Sequence, residues 1–376
     1  MDIVTLILFL LGLVFLVIGA EALVKGASYL ASAVGVSQLV IGLTVVSFGT
    51  SAPEMAVSIN AALSQEADIA MGNVVGSNIF NVLFILGICA LIVPLVVNIQ
   101  LIRVDVPLMV ATSGLLWVLA LDGVLSRVDG VILFAGIIGY TAATVIVGRR
   151  TQRRETASAA ASATAAATAP APASGSLPVS VIQIIAGLAL LILGAKWLVD
   201  GAVAMATAMG ISPMVIGLTI VAAGTSLPEV ATSVMAAIRG QRDIAVGNVV
   251  GSNIFNILGI LGLTAIIAPS GVPVNPAMLA MDIPFMVAVA VGCLPIFFTG
   301  HVINRWEGAL FLIYYVAYTV YLLLAANSHD ALSTYGTVLF AWVTPMVAVT
   351  LIVHVSRVLR SKRPKIASQT GHPRNP

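Results

Sequence analysis

The chain has 376 residues, 60% of them hydrophobic and only 9% charged, with a formal net charge of +2. Soluble domains carry about 25% charged residues, so this composition excludes an ordinary soluble fold and reads as an all-α, polytopic membrane protein whose surroundings are a lipid bilayer. The small net charge, with basic residues at segment ends rather than in one patch, argues against a nucleic-acid partner.

Windows of about 20 mostly apolar residues, enough to cross a bilayer as a helix, fall at 3–24, 39–63, 69–94, 105–121, 128–148, 179–200, 213–238, 244–268, 282–299, 307–326 and 335–358. The first, MDIVTLILFLLGLVFLVIG, lacks the basic flank of a secretory signal and is expected to stay as the first helix. Glu21 with Lys25, and Lys196 with Asp200 in the sixth window, have i,i+4 spacing and read as salt bridges near the membrane surface.

The second and third windows carry the chemistry. In Gly49-Thr50-Ser51-Ala52-Pro53-Glu54, Pro53 has no amide hydrogen to return to Gly49, so the helix is expected to break there and free backbone carbonyls. Thr50, Ser51 and Glu54 then lie within one turn. In the third window Asn73, Ser77 and Asn81 recur every four residues as one polar stripe, with Gly72 and Gly76 allowing close helix approach. A carboxylate at membrane depth is costly and normally functional. Asp105-Val-Pro107 then reads as an N-cap acid with proline in the first helical turn.

All of this is written twice. GLTVVSFGTSAPEMAVSINAA from Gly42 returns as GLTIVAAGTSLPEVATSVMAA from Gly217, and DIAMGNVVGSNIFNVLFILG from Asp68 as DIAVGNVVGSNIFNILGILG from Asp243. Gly224, Thr225, Ser226, Pro228 and Glu229 repeat the break, and Asn248, Ser252 and Asn256 the stripe. Asp282-Ile-Pro284 echoes Asp105-Val-Pro107, and Tyr318 echoes Tyr140. Five helices thus repeat as a block, and an odd number forces the second copy into the membrane upside down.

The domain reading follows: a first five-helix repeat over 1–150, a flexible cytoplasmic linker over 151–178 rich in Ala, Thr, Ser and Pro, an inverted five-helix repeat over 179–326, and an extra helix with a basic cytoplasmic tail over 327–376. With the amino terminus outside, 15 of the 17 Lys and Arg fall on the cytoplasmic side and only Arg127 and Lys196 outside, as the positive-inside rule asks of a cell-membrane protein.

Two carboxylates, hydroxyls, amide oxygens and freed carbonyls suit a hard cation such as calcium, which takes about 6–8 oxygen ligands. Asn73, Asn78, Asn248 and Asn253, taken singly, read equally well as interhelical packing groups. Cys89 and Cys293 read as buried small hydrophobes, and no Cys or His spacing suggests a resident metal or other cofactor. An enzyme is disfavoured: Ser51 and Ser226 have no base, since His301, His329, His354 and His372 lie outside the motif helices. No obligate protein partner is evident.

These strings closely resemble the two alpha-repeat motifs of the calcium/cation antiporter superfamily, in particular the membrane region of sodium/calcium exchangers of the bacterial and archaeal type. The resemblance implies ten core helices in two inverted halves, with cation sites between helices 2, 3, 7 and 8. It implies Glu54 and Glu229 as central ligands, oxygens from Thr50, Ser51, Thr225 and Ser226, flanking sodium sites at Ser77 and Ser252, and Asn81 and Asn256 completing the ring. The implied activity is Ca2+/Na+ antiport by alternating access. Well-studied sodium/calcium exchangers carry an aspartate at one of the positions matching Asn81 and Asn256; here both are asparagine, which keeps proton coupling open as the alternative. A cation channel on the same fold is the remoter alternative.

Overall fold

The computed structural model describes residues 3–64, 66–162, 177–211, 216–298, 300–327, 329–346, 349 and 356. The spans are α1 (Ile3–Val34), α2 (Gln38–Thr50 and Ala52–Leu63), α3 (Ile69–Ile92), α4 (Leu101–Asp122) and α5 (Arg127–Ser162). The second set is α6 (Leu177–Ala208), α7 (Gly217–Val221, Ala222–Gly224 and Leu227–Ile238), α8 (Arg242–Ile267), α9 (Met278–Phe298) and α10 (Arg305–Ala326). The two halves of α2 meet at a 46° bend, where Pro53 removes a helical hydrogen bond, and Pro228 stands at the matching break of α7.

The repeat is copied into local structure as well as sequence. Wide π-helical turns occur at Gly42–Val46, Asn81–Leu86 and Leu101–Asp105, and again at Gly217–Val221, Asn256–Leu261 and Met278–Asp282. Such turns cluster at functional positions, and here two of them begin on Asn81 and Asn256. Because α4 and α9 start a turn earlier than the sequence suggests, Asp105 and Asp282 do not head their helices, and Asp105 makes no capping bond.

Two short antiparallel ladders fix the relative orientation of the halves. In β1 (Leu95–Val96), β2 (Val124–Leu125), β3 (Val272–Pro273) and β4 (Val302–Ile303), β1 pairs with β4 through Leu95↔Ile303, and β2 with β3 through Leu125↔Val272. The α3–α4 loop therefore meets the α9–α10 loop, whose counterpart in the first half is the α4–α5 loop. Since α4 separates the two loops of its own half across the membrane, this pairing requires the second half to be inverted.

Glycine sets how closely the halves approach. α1 and α6 run antiparallel along a seam of Gly12, Gly19 and Gly26 against Gly194, Gly187 and Ser180, and a Cβ on Gly19 would sit 2.8 Å from the Gly187 carbonyl oxygen. Gly130 of α5 against Gly262 of α8 and Gly308 of α10 against Gly87 of α3 are a second matched pair of contacts. Each half thus lends its fifth helix to the motif helix of the other. α3 and α8 are the most enclosed spans, whereas α1 turns Leu6, Leu10, Leu13 and Val17 outward as a lipid face.

Several boundaries differ from the sequence reading. α5 continues to Ser162, so residues 151–162 extend a helix instead of opening the linker, as an alanine-rich stretch can. Residues 163–176, which hold most of the expected linker, lie outside the described residues, as does the basic tail from Arg357. Of the last expected helix, Leu332–Gly336 and Thr337–Val343 are seen, with Phe340 packed edge-on against Phe285 and Tyr321. Glu21 pairs with Lys25 at 2.9 Å but also with Arg239 at 2.6 Å, tying α1 to the end of α7. Among the described residues Lys196 and Asp200 form no such pair, because both point outward where water competes for them.

Candidate cation site

The breaks in α2 and α7 face one another across α3 and α8, and the two carboxylates they carry are almost wholly buried, Glu54 and Glu229 each 1% exposed. Each is held by the serine of the opposite half. Ser226 donates to Glu54 Oε1 at 2.8 Å, and Ser51 donates to Glu229 Oε1 at 2.9 Å. Ser226 also lies 3.3 Å from the Ser77 hydroxyl, which joins α3 to the cluster. The second oxygen of each carboxylate, Glu54 Oε2 and Glu229 Oε2, is buried with no hydrogen-bond donor. No Lys, Arg or His pairs with either acid among the described residues.

The asparagines build the other diagonal. Asn78 and Asn253 each donate to the backbone carbonyl of the other at 3.2 Å. Their side-chain oxygens then accept from Asn256 and Asn81 respectively, both at 3.0 Å. That arrangement uses the amide nitrogens of Asn81 and Asn256 and leaves their oxygens, Asn81 Oδ1 and Asn256 Oδ1, buried and unpartnered. Asn73 and Asn248 brace the breaks from outside: Asn73 donates to Ser58 at 3.0 Å and to the Glu54 carbonyl at 3.1 Å, and Asn248 donates to Ser233 at 3.0 Å.

Four acceptors without donors, two of them carboxylate oxygens, are thus buried on the facing motif helices. A buried polar atom left unpaired costs about 1–3 kcal/mol, and more when charged. Repeating that cost symmetrically makes sense when a cation supplies the missing positive charge. Among the described residues no group of three or more His, Cys, Asp or Glu gathers, so the formal charge of the cluster is that of two carboxylates. One divalent or two monovalent cations balance it.

The ten residues singled out by sequence are not placed equivalently. Ser51, Ser226, Ser77, Glu54, Glu229, Asn81 and Asn256 are linked as above. Ser252 is buried without a donor or acceptor partner. Thr50 is buried and donates to Asn248 at 3.1 Å, whereas its counterpart Thr225 lines a cavity of about 440 Å3 with Asn73 and Ser77. The near-identical repeats therefore differ locally, with Thr50 buried and Thr225 facing a cavity.

The sequence did not single out the orienting role of Asn78 and Asn253, each of which stands three residues before the ring asparagine of its own copy and holds that of the other. It also assigned Asp105 and Asp282 to helix capping. Asp105 instead accepts from Tyr140 at 3.1 Å and Asp282 from Tyr318 at 2.7 Å, the same pair in both halves.

Comparison with known proteins places this geometry. The family described as sodium/calcium exchanger protein matches residues 4–146 and 179–324. The chain is 38% identical to the inner membrane protein YrbG of Escherichia coli over 76% of its own length and 86% of that protein's. It is 37% identical to the sodium/calcium exchanger MaX1 of Methanosarcina acetivorans over 85% of this chain and 98% of that one. Among solved structures, the sodium-calcium exchanger NCX_Mj soaked with zero Na+ and Ca2+ superposes with a TM-score of 0.71 at 34% identity, covering 84% of this chain and 98% of that chain.

Proposed function

The chain belongs to the sodium/calcium exchanger protein family, and from that premise we propose that it is a secondary antiporter that carries Ca2+ in one direction against Na+ in the other, by alternating access to the site between α2, α3, α7 and α8. It is a multi-pass membrane protein, and its relatives are exchangers rather than enzymes. In the orientation favoured by the basic residues, the amino terminus is outside and Ca2+ leaves the cytoplasm.

The observation that carries the reading is the pair of donor-free carboxylate oxygens, Glu54 Oε2 and Glu229 Oε2, buried in facing helix breaks. Ca2+ would be held by the two acids, with Asn81 Oδ1 and Asn256 Oδ1 completing the ring of oxygens. Na+ ions compete for the same carboxylates, with Ser77 and Ser252 on the flanks and the hydroxyl or carbonyl oxygens of Thr50, Ser51, Thr225 and Ser226 nearby. Exchange rather than leak follows from charge. Two bare carboxylates cannot be sealed in an apolar interior cheaply, so only the loaded site passes between the two states. The seam of α1 and α6, which packs on the motif helices from outside, is the surface along which access is exchanged.

Proton coupling is the second reading, favoured by the two asparagines at 81 and 256, which leave the site without a third acid. Reconstituted protein in sealed vesicles separates the two. An imposed Na+ gradient at constant pH should drive 45Ca2+ uptake, and a pH gradient at constant Na+ should not. Uptake driven by pH alone overturns sodium coupling, and large ohmic currents overturn antiport itself.

A further inference from the structure

The cavity of about 440 Å3 reaches the cluster at Ser77 and Thr225. Its walls run from Ile69 of α3 and Met278 of α9 down to Ser77 and Thr225, so it opens on the face that carries the β2–β3 ladder. Among the described residues lining it, Asp282 carries the only charge. Tyr318, which also lines the cavity, donates to Asp282 Oδ1, and among the described residues no side chain bonds the other oxygen. The mirror-related acid is in the opposite condition. Asp105 is fully buried, with Oδ1 taken by Tyr140 and Oδ2 by the Gln100 side chain at 3.3 Å, while Ala277 stands where a second-half partner of Gln100 would be.

We propose that Asp282 is a staging site for the transported metal cation, where Ca2+ or Na+ rests on one carboxylate in the open cavity before passing Ser77 and Thr225 to Glu54 and Glu229, and that Asp105 serves the opposite face when that face opens. The inference rests on the antiport reading above and adds a ligand position to it. Three features support it together: a lone carboxylate among the described residues lining the cavity, continuity of that cavity with two hydroxyls of the main site, and repetition of the acid–tyrosine pair in the other half. A single charge focused by low-dielectric walls raises local cation concentration and capture rate. The second half lacks a Gln100 equivalent, so Asp282 keeps an oxygen for the ion. The tyrosine hydroxyl occupies only the other oxygen, at 2.7 Å.

Initial rates of 45Ca2+ transport by the full chain in right-side-out and inverted vesicles test this. Asp282→Asn should raise the half-saturating Ca2+ concentration roughly three- to tenfold on the β2–β3 face only, with the maximal rate within about twofold of wild type. Asp105→Asn should do the same on the other face only. Asp282→Glu, which keeps the charge, should stay within about twofold of wild type at every step. Tyr318→Phe discriminates a merely structural role: it removes the α9–α10 hydrogen bond but leaves the charge, so half-saturation should stay near wild type. Unchanged half-saturation in Asp282→Asn, an equal effect on both faces, or a Tyr318→Phe defect as large as that of Asp282→Asn overturns the staging site while leaving antiport standing. No Ca2+ flux in the wild-type vesicles overturns both.

Discussion

Asn78 and Asn253 clasp each other across the axis that relates the halves, each side-chain amide donating to the backbone carbonyl of the other at 3.2 Å. The clasp spends the nitrogens of Asn81 and Asn256 on Asn253 and Asn78, so the two outer amides can present only oxygen to the interior. Removing it should therefore impair ion binding without touching a ligand. Asn78→Ala or Asn253→Ala frees the neighbouring amide to rotate, and each should weaken Ca2+ binding by about tenfold, equivalent to ~1.4 kcal/mol. The double variant should cost less than the sum, since both belong to one network. Calcium titration of the purified protein measures it; strictly additive losses would mean that the two asparagines act independently.

Glu54→Gln and Glu229→Gln should each abolish Ca2+ uptake while leaving the protein folded. In calcium-free buffer the variants should be more stable than wild type, because one of two unpaired buried charges is gone. A gain of about 1 kcal/mol corresponds to a rise in melting temperature of roughly 2–4 °C. Thermal unfolding in detergent beside vesicle uptake reads both effects, and wild-type uptake in either variant removes that acid from the site.

Calcium itself should stabilise the wild-type chain by mass action, by about 2.7 kcal/mol at a hundred times its dissociation constant. The same addition should leave Glu54→Gln essentially unshifted. Equal stabilisation of both proteins would place the binding elsewhere.

Asn256→Asp adds a third carboxylate beside the pair, raising the negative charge a loaded site must neutralise. It should shift the dependence of transport on Na+ or on pH more than it alters expression. Parallel uptake curves at several Na+ concentrations and pH values check this, and unchanged curves would show that the ring amides do not set coupling.

Gly19→Val should disrupt the α1–α6 seam, since even a Cβ there would approach the Gly187 oxygen at 2.8 Å. Overpacking of this kind costs about 1–3 kcal/mol, and on the proposed exchange of access along this seam transport should fall with it. Gly114→Ala is the control, because a Cβ at Gly114 meets nothing within 4 Å. Equal behaviour of the two variants would exclude the seam from both roles.

Much of the fold was legible because the chain states it twice. Repetition of Pro53 and Glu54 as Pro228 and Glu229 located both breaks, and the odd helix count implied the inversion that the β1–β4 and β2–β3 ladders display. What stayed hidden depends on contacts between distant positions. Asn78 and Asn253 lie 175 residues apart, and nothing local tells a clasp from ordinary packing. Asp105 and Asp282 mimic capping acids by their proline neighbours, and only the earlier helix starts release them to Tyr140 and Tyr318. The difference between buried Thr50 and cavity-lining Thr225 was not legible, because near-identical repeats hold both conformations.

The most direct test of the central claim is an experimental structure of the protein with Ca2+, or with Sr2+ as an anomalous scatterer, located by its density. The account predicts one divalent ion bridging Glu54 and Glu229, with carboxylate oxygens of both at about 2.3–2.6 Å. A divalent ion bound elsewhere, with these two acids left without it, would contradict the account.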